Sequence, residues 1–276
     1  MQHHESHISG NDNLQLYYQS WTPEQSRRGN VLVVHGHGDH SGRYRNVVNQ
    51  LVPAGYAVHA YDLRGHGHSE GERGFLMAWE EFRLDMDAVV NHVRGESVGK
   101  PLFFYGHSLG GLIALDYLLH FPDAAHGLVT SAPLVGTPGI SPVIIAVARI
   151  LSRIAPRTML HTSTDAGGIS RDPTVVQAYI NDPLVHDWGS ARFGGETLSR
   201  GKWVQEHVPE LNLPVLVLQG GDDRIALPVN SHRLFNSAGS DDKTYREYPE
   251  GYHEPHNDLD YEMVLGEVVA WLDARI

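Results

Sequence analysis

The segment Gly106-His107-Ser108-Leu109-Gly110 constrains this chain more than any other part of its sequence. It follows the apolar run Pro101-Leu102-Phe103-Phe104-Tyr105 and opens a helical stretch, Leu109 to His120, that begins Leu109-Gly110-Gly111-Leu112-Ile113. A serine held between a strand and a helix sits on a sharp turn with its hydroxyl projected outward. The flanking glycines leave room for that backbone, and the helix N-terminus favours a developing negative charge. The same spacing recurs at Gly67-His68-Ser69-Glu70-Gly71. There Gly65-His66-Gly67 precedes the serine and Glu70-Gly71-Glu72-Arg73-Gly74 follows, so no helix starts well and Ser69 reads as a loop residue. Ser108 is the candidate nucleophile.

Such a turn needs a sheet beneath it. Asn30-Val31-Leu32-Val33-Val34, Tyr56 to Tyr61, Gly127 to Thr130, Pro214 to Leu218 and Thr244 to Tyr248 read as further strands. Between them, Trp79 to Val93 places Phe82, Met86, Val89 and Val93 at helical spacing, and Tyr261 to Ala274 is similar. Strands alternating with helices predict an α/β fold with a mostly parallel central sheet flanked by helices. The rhythm breaks between Leu134 and Val208, a region with several prolines, a Gly167-Gly168 pair and the apolar segment Ser141-Pro142-Val143-Ile144-Ile145-Ala146-Val147. Serine at the N-cap and proline at the first helical position mark a helix start there. The expected division is a core of residues 1–133 and 209–276, with an inserted, mainly helical cap at 134–208. Its apolar helix lines an apolar tunnel, touches an apolar surface or simply packs over the core.

A serine hydroxyl is a poor nucleophile without an imidazole base, and that base needs an acid to hold its tautomer. On a sheet of this kind the order along the chain is serine, acid, histidine. After the strand at Pro214, Gln219-Gly220-Gly221-Asp222-Asp223-Arg224 offers two aspartates that spacing does not separate. After the last strand, Pro249-Glu250-Gly251-Tyr252-His253 offers the base. His256, beside Pro255 and Asn257-Asp258, reads as a solvated helix start. The tetrahedral intermediate needs backbone N–H donors. Leu109 follows the nucleophile, and His37 lies in the turn His35-Gly36-His37-Gly38 after the first core strand.

Charge and composition exclude other classes. Asp and Glu outnumber Lys and Arg by 33 to 21, and the resulting −12 repels phosphate backbones, so no nucleic-acid partner is expected. The absence of cysteine removes disulfides, thiolate catalysis and cysteine-held metals. Neither a signal peptide nor an apolar run of the roughly 18–20 residues that span a bilayer is visible, so a soluble cytoplasmic protein is expected. No dinucleotide fingerprint or phosphate loop is present, and no cofactor is expected. Nineteen histidines raise the question of a metal, at His35, His37 and His40 or at His66 and His68. No acidic ligand set of metal spacing accompanies them, and no metal is expected.

Three segments together carry a resemblance. They are His35-Gly36-His37-Gly38-Asp39-His40-Ser41-Gly42-Arg43-Tyr44, Asp62-Leu63-Arg64-Gly65-His66-Gly67-His68-Ser69-Glu70-Gly71 and Gly106-His107-Ser108-Leu109-Gly110-Gly111. The chain resembles, from about residue 10 to 275, the monoacylglycerol lipase and lysophospholipase branch of the α/β-hydrolases, which is also grouped with serine aminopeptidases. The resemblance implies Asp223 as the acid, His253 as the base, and the amides of His37 and Leu109 as oxyanion donors. It explains both histidine clusters as family loops, and Asn181-Asp182-Pro183-Leu184-Val185 as the end of a cap. It implies a carboxylic-ester hydrolase acting through an acyl-enzyme on single-chain lipid esters, with at most weak membrane or micelle contact through the cap. General short-to-medium-chain esterase and aminopeptidase activities are the alternatives. Dehalogenase and epoxide hydrolase chemistry is disfavoured, because those relatives carry a carboxylate where Ser108 stands. A catalytically silent binding protein would not need the full serine, histidine and aspartate set. His107 is expected to pack behind the elbow, and Asp62 and Arg64 to form a structural loop pair. Oligomeric state is left open.

Overall fold

The computed structural model describes residues 1–136, 142–161 and 165–276. The chain opens with two antiparallel strands, β1 (Gln2–Ser9) and β2 (Gln15–Thr22). Then follow β3 (Gly29–Val34), α1 (Arg45–Leu51), β4 (Tyr56–Tyr61), α2 (Glu80–Glu96), β5 (Leu102–His107), α3 (Leu109–His120) and β6 (Gly127–Ser131). An insertion carries α4 (Pro142–Ile154), β7 (Met159–His161), α5 (Pro173–Asn181), β8 (Trp188–Ser190) and α6 (Ala191–His207). The chain closes with β9 (Val215–Gly220), α7 (Pro228–Ser237), β10 (Lys243–Tyr248) and α8 (Tyr261–Asp273).

The main sheet has eight strands in the order β1-β2-β4-β3-β5-β6-β9-β10. Pairing is antiparallel from β1 through β2 to β4, and parallel from β4 onward. Every residue of β3, β4, β5, β6 and β9 is buried, because helices cover both faces. That is why these strands read as unbroken apolar runs rather than alternating ones. Successive side chains nonetheless go to opposite sides. Leu32, Val34 and Phe104 join α2 and α3 in one apolar cluster, whereas Val31, Val33 and Phe103 join α1 and α8 in the other. Fully burying one such Val, Leu or Phe contributes about 1.5–3 kcal/mol.

The six expected strands and three expected helices are all present, with ends shifted by no more than three residues. The predicted helix at Pro142 forms as α4, while its expected cap Ser141 and the Ile144 side chain lie outside the described residues. In the insertion, β7 and β8 pair as a small antiparallel ribbon. α6 buries Phe193 and Val204 in the core cluster beside α3. Among the described residues no helix is long and apolar enough to cross a membrane.

Candidate active site

β5 ends at His107 and α3 begins at Leu109, which leaves Ser108 alone on the turn with φ 51° and ψ −116°. That conformation is costly for a residue with a side chain and persists only where its surroundings fix it. Three backbone hydrogen bonds do so. The Ser108 amide donates to the Ser131 carbonyl at 3.0 Å, and the Ser108 carbonyl accepts from Leu112 and Leu134 at 3.1 and 3.0 Å. The elbow also presses against the neighbouring strand. A Cβ on Gly110 would lie 2.0 Å from the Val34 carbonyl oxygen, and one on Gly106 would lie 2.7 Å from that of Gly110. The decoy serine does different work. Ser69 Oγ donates to the Asp62 carbonyl at 2.6 Å and accepts from the Tyr17 amide at 2.8 Å, stapling a loop to β2.

Beyond β9 the two aspartates separate by burial: Asp222 is exposed and Asp223 is buried. Asp223 Oδ1 accepts from the Ile225 and Ala226 amides at 2.8 and 2.9 Å. Asp223 Oδ2 accepts from Gln219 Nε2 at 3.1 Å and lies 2.8 Å from His253 Nδ1. Burial disfavours a charge on His253, but the Asp223 carboxylate and its hydrogen bond, helped by Glu254 and Asp39, outweigh that and raise its pKa. With Nδ1 turned to Asp223, Nε2 is the atom left to exchange a proton. His253 and Ser108 line one cavity of about 580 Å³.

The turn after β3 closes another wall. Gly36 sits against Ser108, where a Cβ would come within 3.4 Å of the serine Cβ. His37 follows it and also lines the cavity. Its imidazole stacks on Phe193 at 4.6 Å, and burial, with His186 and His35 nearby, depresses its pKa to about 3. Leu109 is the first residue of α3, so no carbonyl of the preceding helical turn takes its amide. The rest of the wall is largely apolar, built from Leu134, Leu160, Ile169, Leu198 and Ile225 together with Phe193.

Several groups in and around the cavity carry no local sequence signal. Arg43 makes a bidentate pair with Glu254, both contacts at 2.8 Å, and reaches Asp39 at 3.1 Å. Burial pushes the Glu254 carboxyl up, but Arg43 overrides it and holds the pKa near 2. The Tyr179 ring lies 4.7 Å from the Arg43 guanidinium. These residues span the segment between β3 and α1, the insertion and the loop after β10, and only folding brings them together.

Two expectations need correction. His256 is not a solvated helix start: it is 1% exposed, stacks on Tyr44 at 4.9 Å and meets the edge of His107 at 4.9 Å. Asp62 and Arg64 do not pair with each other. Asp62 accepts from the Ser41 amide and hydroxyl and the His68 amide, while Arg64 forks onto Asp85 and reaches Glu81. His107 does pack behind the elbow, with Nδ1 3.1 Å from the Ser131 carbonyl and its ring 4.7 Å from His253. His35 spends both ring nitrogens on the protein, at the Gly36 carbonyl and the Leu63 amide. Among the described residues no group of three His, Asp or Glu side chains is arranged to hold a metal ion.

Known proteins share this architecture and much of this sequence. The family described as serine aminopeptidase, S33, matches residues 25–260. A monoacylglycerol lipase from Mycolicibacterium smegmatis is 34% identical over 99% of this chain and 98% of its own length. The monoglyceride lipase of Homo sapiens is 32% identical over 98% of this chain and 90% of its own. The crystal structure of Paleococcus ferrophilus monoacylglycerol lipase superposes with a TM-score of 0.86 at 36% identity, covering 95% of this chain and 99% of that one. With the fold, the elbow and the sequence in agreement over nearly its whole length, the chain belongs to the serine aminopeptidase S33 family, within the monoacylglycerol lipase branch of the α/β-hydrolases.

Proposed function

We propose that this serine ester hydrolase cleaves monoacylglycerols and similar single-chain esters, with Ser108 as nucleophile, His253 as general base and Asp223 as its orienting acid. The observation that carries this reading is the cavity itself: a strained serine on a helix N-terminus and an aspartate-bound imidazole face one largely apolar chamber. In the reading, His253 Nε2 takes the Ser108 proton as Oγ attacks the ester carbonyl. The His37 and Leu109 amides hold the oxyanion, and the imidazolium returns the proton to the departing alcohol. Water, activated by the same imidazole, then releases the fatty acid. No cofactor is required for these steps.

The insertion serves as a cap over residues 134–208. Its wall of Leu160, Ile169, Phe193 and Leu198 suits an alkyl chain. Ile150, Ile154 and Leu160 are exposed on it, which supports weak contact with a micelle or membrane surface through the cap. Against the aminopeptidase alternative, two of the three carboxylates that line the cavity, Asp39 and Glu254, are bound to Arg43 rather than offered to a substrate ammonium, and the third, Asp165, caps the Gly167 amide at 3.1 Å.

The test compares wild type with Ser108→Ala on 1-monoacylglycerols, p-nitrophenyl esters of graded length and an aminoacyl-anilide. Monoacylglycerol cleavage that vanishes in the variant is expected. Cleavage of short esters alone would make the protein a general esterase, and cleavage of the anilide alone a peptidase. Ester activity surviving in Ser108→Ala would remove Ser108 from the mechanism.

A further inference from the structure

The loop that carries His253 leaves β10 at Tyr248 and reaches α8 at Tyr261 without a helix or strand of its own. Arg43 and Asn46 hold it from the core side, at Glu254, His256 and Asn257, and the insertion holds it from the other. Four consecutive residues of the insertion, Gly168 to Arg171, bond to the loop. The His253 amide donates to the Gly168 carbonyl at 3.2 Å, and the Glu254 amide to the Ile169 carbonyl at 2.8 Å. Ser170 Oγ lies 3.1 Å from the Asn257 carbonyl and 3.2 Å from Asp258 Oδ1, with one proton to share between the two acceptors. The Arg171 amide and Nε then grip the two oxygens of Asp258 at 2.8 and 2.9 Å.

Asp258 is the centre of this seam. Its Oδ2 also accepts from the Tyr252 amide at 3.0 Å, so the residue before His253 is tied through one carboxylate to Arg171. The guanidinium further reaches Asp260 at 2.6 Å and Glu250 at 3.6 Å, one acid from each end of the loop. Those two partners are 52% and 87% exposed and contribute little. The Asp258 side chain is 3% exposed, and there the single guanidinium bond from Nε, beside the backbone amide bond, is charge-assisted and directional. Among the described residues, neither Arg171 nor Asp258 lines the cavity.

We propose that Arg171 and Asp258 are positioning residues that close the neck of the His253 loop and set the imidazole against Asp223. The inference rests on the assignment of His253 as base. It makes the Gly168–Arg171 segment of the insertion part of the catalytic apparatus. Misplacing a reacting group by 1 Å costs on the order of 10²-fold in rate, so loosening this clasp lowers turnover without touching the substrate.

The experiment compares wild type, Arg171→Ala, Arg171→Lys and Asp260→Ala, each counted by titration with a serine-directed fluorophosphonate. Turnover of a medium-chain p-nitrophenyl ester is then measured across pH. Arg171→Ala is expected to lose roughly 10- to 100-fold in kcat per labelled site, with KM changed less than about threefold. Its acid-limb pKa falls, because a looser imidazole gains less from Asp223. Arg171→Lys recovers part of both, since an ammonium replaces the charge but not the directed Nε–H bond to Asp258, and Asp260→Ala stays within about twofold of wild type. Turnover per labelled site within twofold of wild type in Arg171→Ala, with an unmoved pH profile, overturns the proposal and leaves Arg171 a purely structural residue. If Arg171→Ala does not fold, the same null result in Arg171→Lys overturns it. A wild type that fluorophosphonate does not label removes the Ser108 and His253 assignment first, and this inference with it.

Discussion

His253 Nδ1 lies 2.8 Å from Asp223 Oδ2, while the Ile225 and Ala226 amides occupy the other oxygen of that carboxylate. Asp223 therefore presents one oriented negative charge to one imidazole and raises its pKa above the ordinary value of about 6.5. In the proposed mechanism His253 is the base and works only when neutral, so the acid limb of kcat/KM is expected above pH 6.5. Asp223→Asn removes the charge, moves that limb downward and lowers kcat by about 10⁴-fold. A pH–rate profile of both proteins reads the two effects together, and a limb that stays in place would show that something other than Asp223 sets it. Stability responds in the opposite sense. The folded imidazole binds its proton more tightly than the unfolded one, so this contribution is full below about pH 6.5 and is lost as pH rises through the folded pKa.

Two glycines predict opposite responses to the same substitution. At Gly110 an added methyl would lie 2.0 Å from the Val34 carbonyl oxygen and 2.5 Å from that of His35. Gly110→Ala must push α3 off β3, at an expected cost of about 3 kcal/mol or more, and displaces Ser108 with it. Gly266 is exposed within α8 and meets nothing within 4 Å of an added Cβ. Gly266→Ala is expected to stabilise by about 0.5–1 kcal/mol. Thermal melts of the two variants should move in opposite directions, and a destabilised Gly266→Ala would mean that α8 is not the regular helix described.

The central strands were legible because burial on both faces leaves a continuous apolar run, as in Val31 to Val34. β1 was not, since it is an edge strand in which only Ile8 is buried, and its polar residues resemble a loop. Ser108 was legible from local grammar: strand, glycine, serine, glycine, helix. Asp222 and Asp223 were not separable by spacing, and burial is what divides them. His256 misleads for a physical reason. Its polar neighbours suggest solvent, yet Asn257 and Asp258 are satisfied inside the protein, by Glu254, Arg171 and Tyr252. The Arg43–Glu254 pair joins residues 211 positions apart, a distance at which no local pattern operates.

Asp116 offers a test of how the insertion is anchored. This α3 carboxylate, 1% exposed, accepts from Trp79 Nε1 at 3.0 Å, Arg83 at 3.3 Å and Arg200 of α6 at 2.9 Å. Asp116→Ala would leave a buried indole N–H without an acceptor and two largely buried guanidinium groups short of a partner. Removing one member of a fully buried pair costs about 3–5 kcal/mol; with Glu80 still near both arginines, about 2–3 kcal/mol is expected. Urea denaturation reads this as a lower midpoint at unchanged slope. A loss below about 0.5 kcal/mol would mean that water replaces the carboxylate without penalty.

Gly194 gives access to chain-length preference. It lies on α6 at the cavity wall, where an added Cβ meets nothing within 4 Å. A larger side chain therefore grows into the space assigned to the acyl chain without straining the helix, whose propensity it improves. Gly194→Phe is expected to spare short esters, whose carbonyl still reaches Ser108, and to exclude the distal methylenes of long ones. Each buried methylene is worth about 0.8 kcal/mol, so displacing two of them lowers the long-to-short ratio of kcat/KM by about tenfold. The measurement is that ratio for C12 against C4 p-nitrophenyl esters in the variant and the wild type. An unchanged ratio would put the acyl chain elsewhere in the cavity, against Leu134 and Ile225 rather than α6. An equal loss on both esters would instead mean that the new ring has reached the elbow.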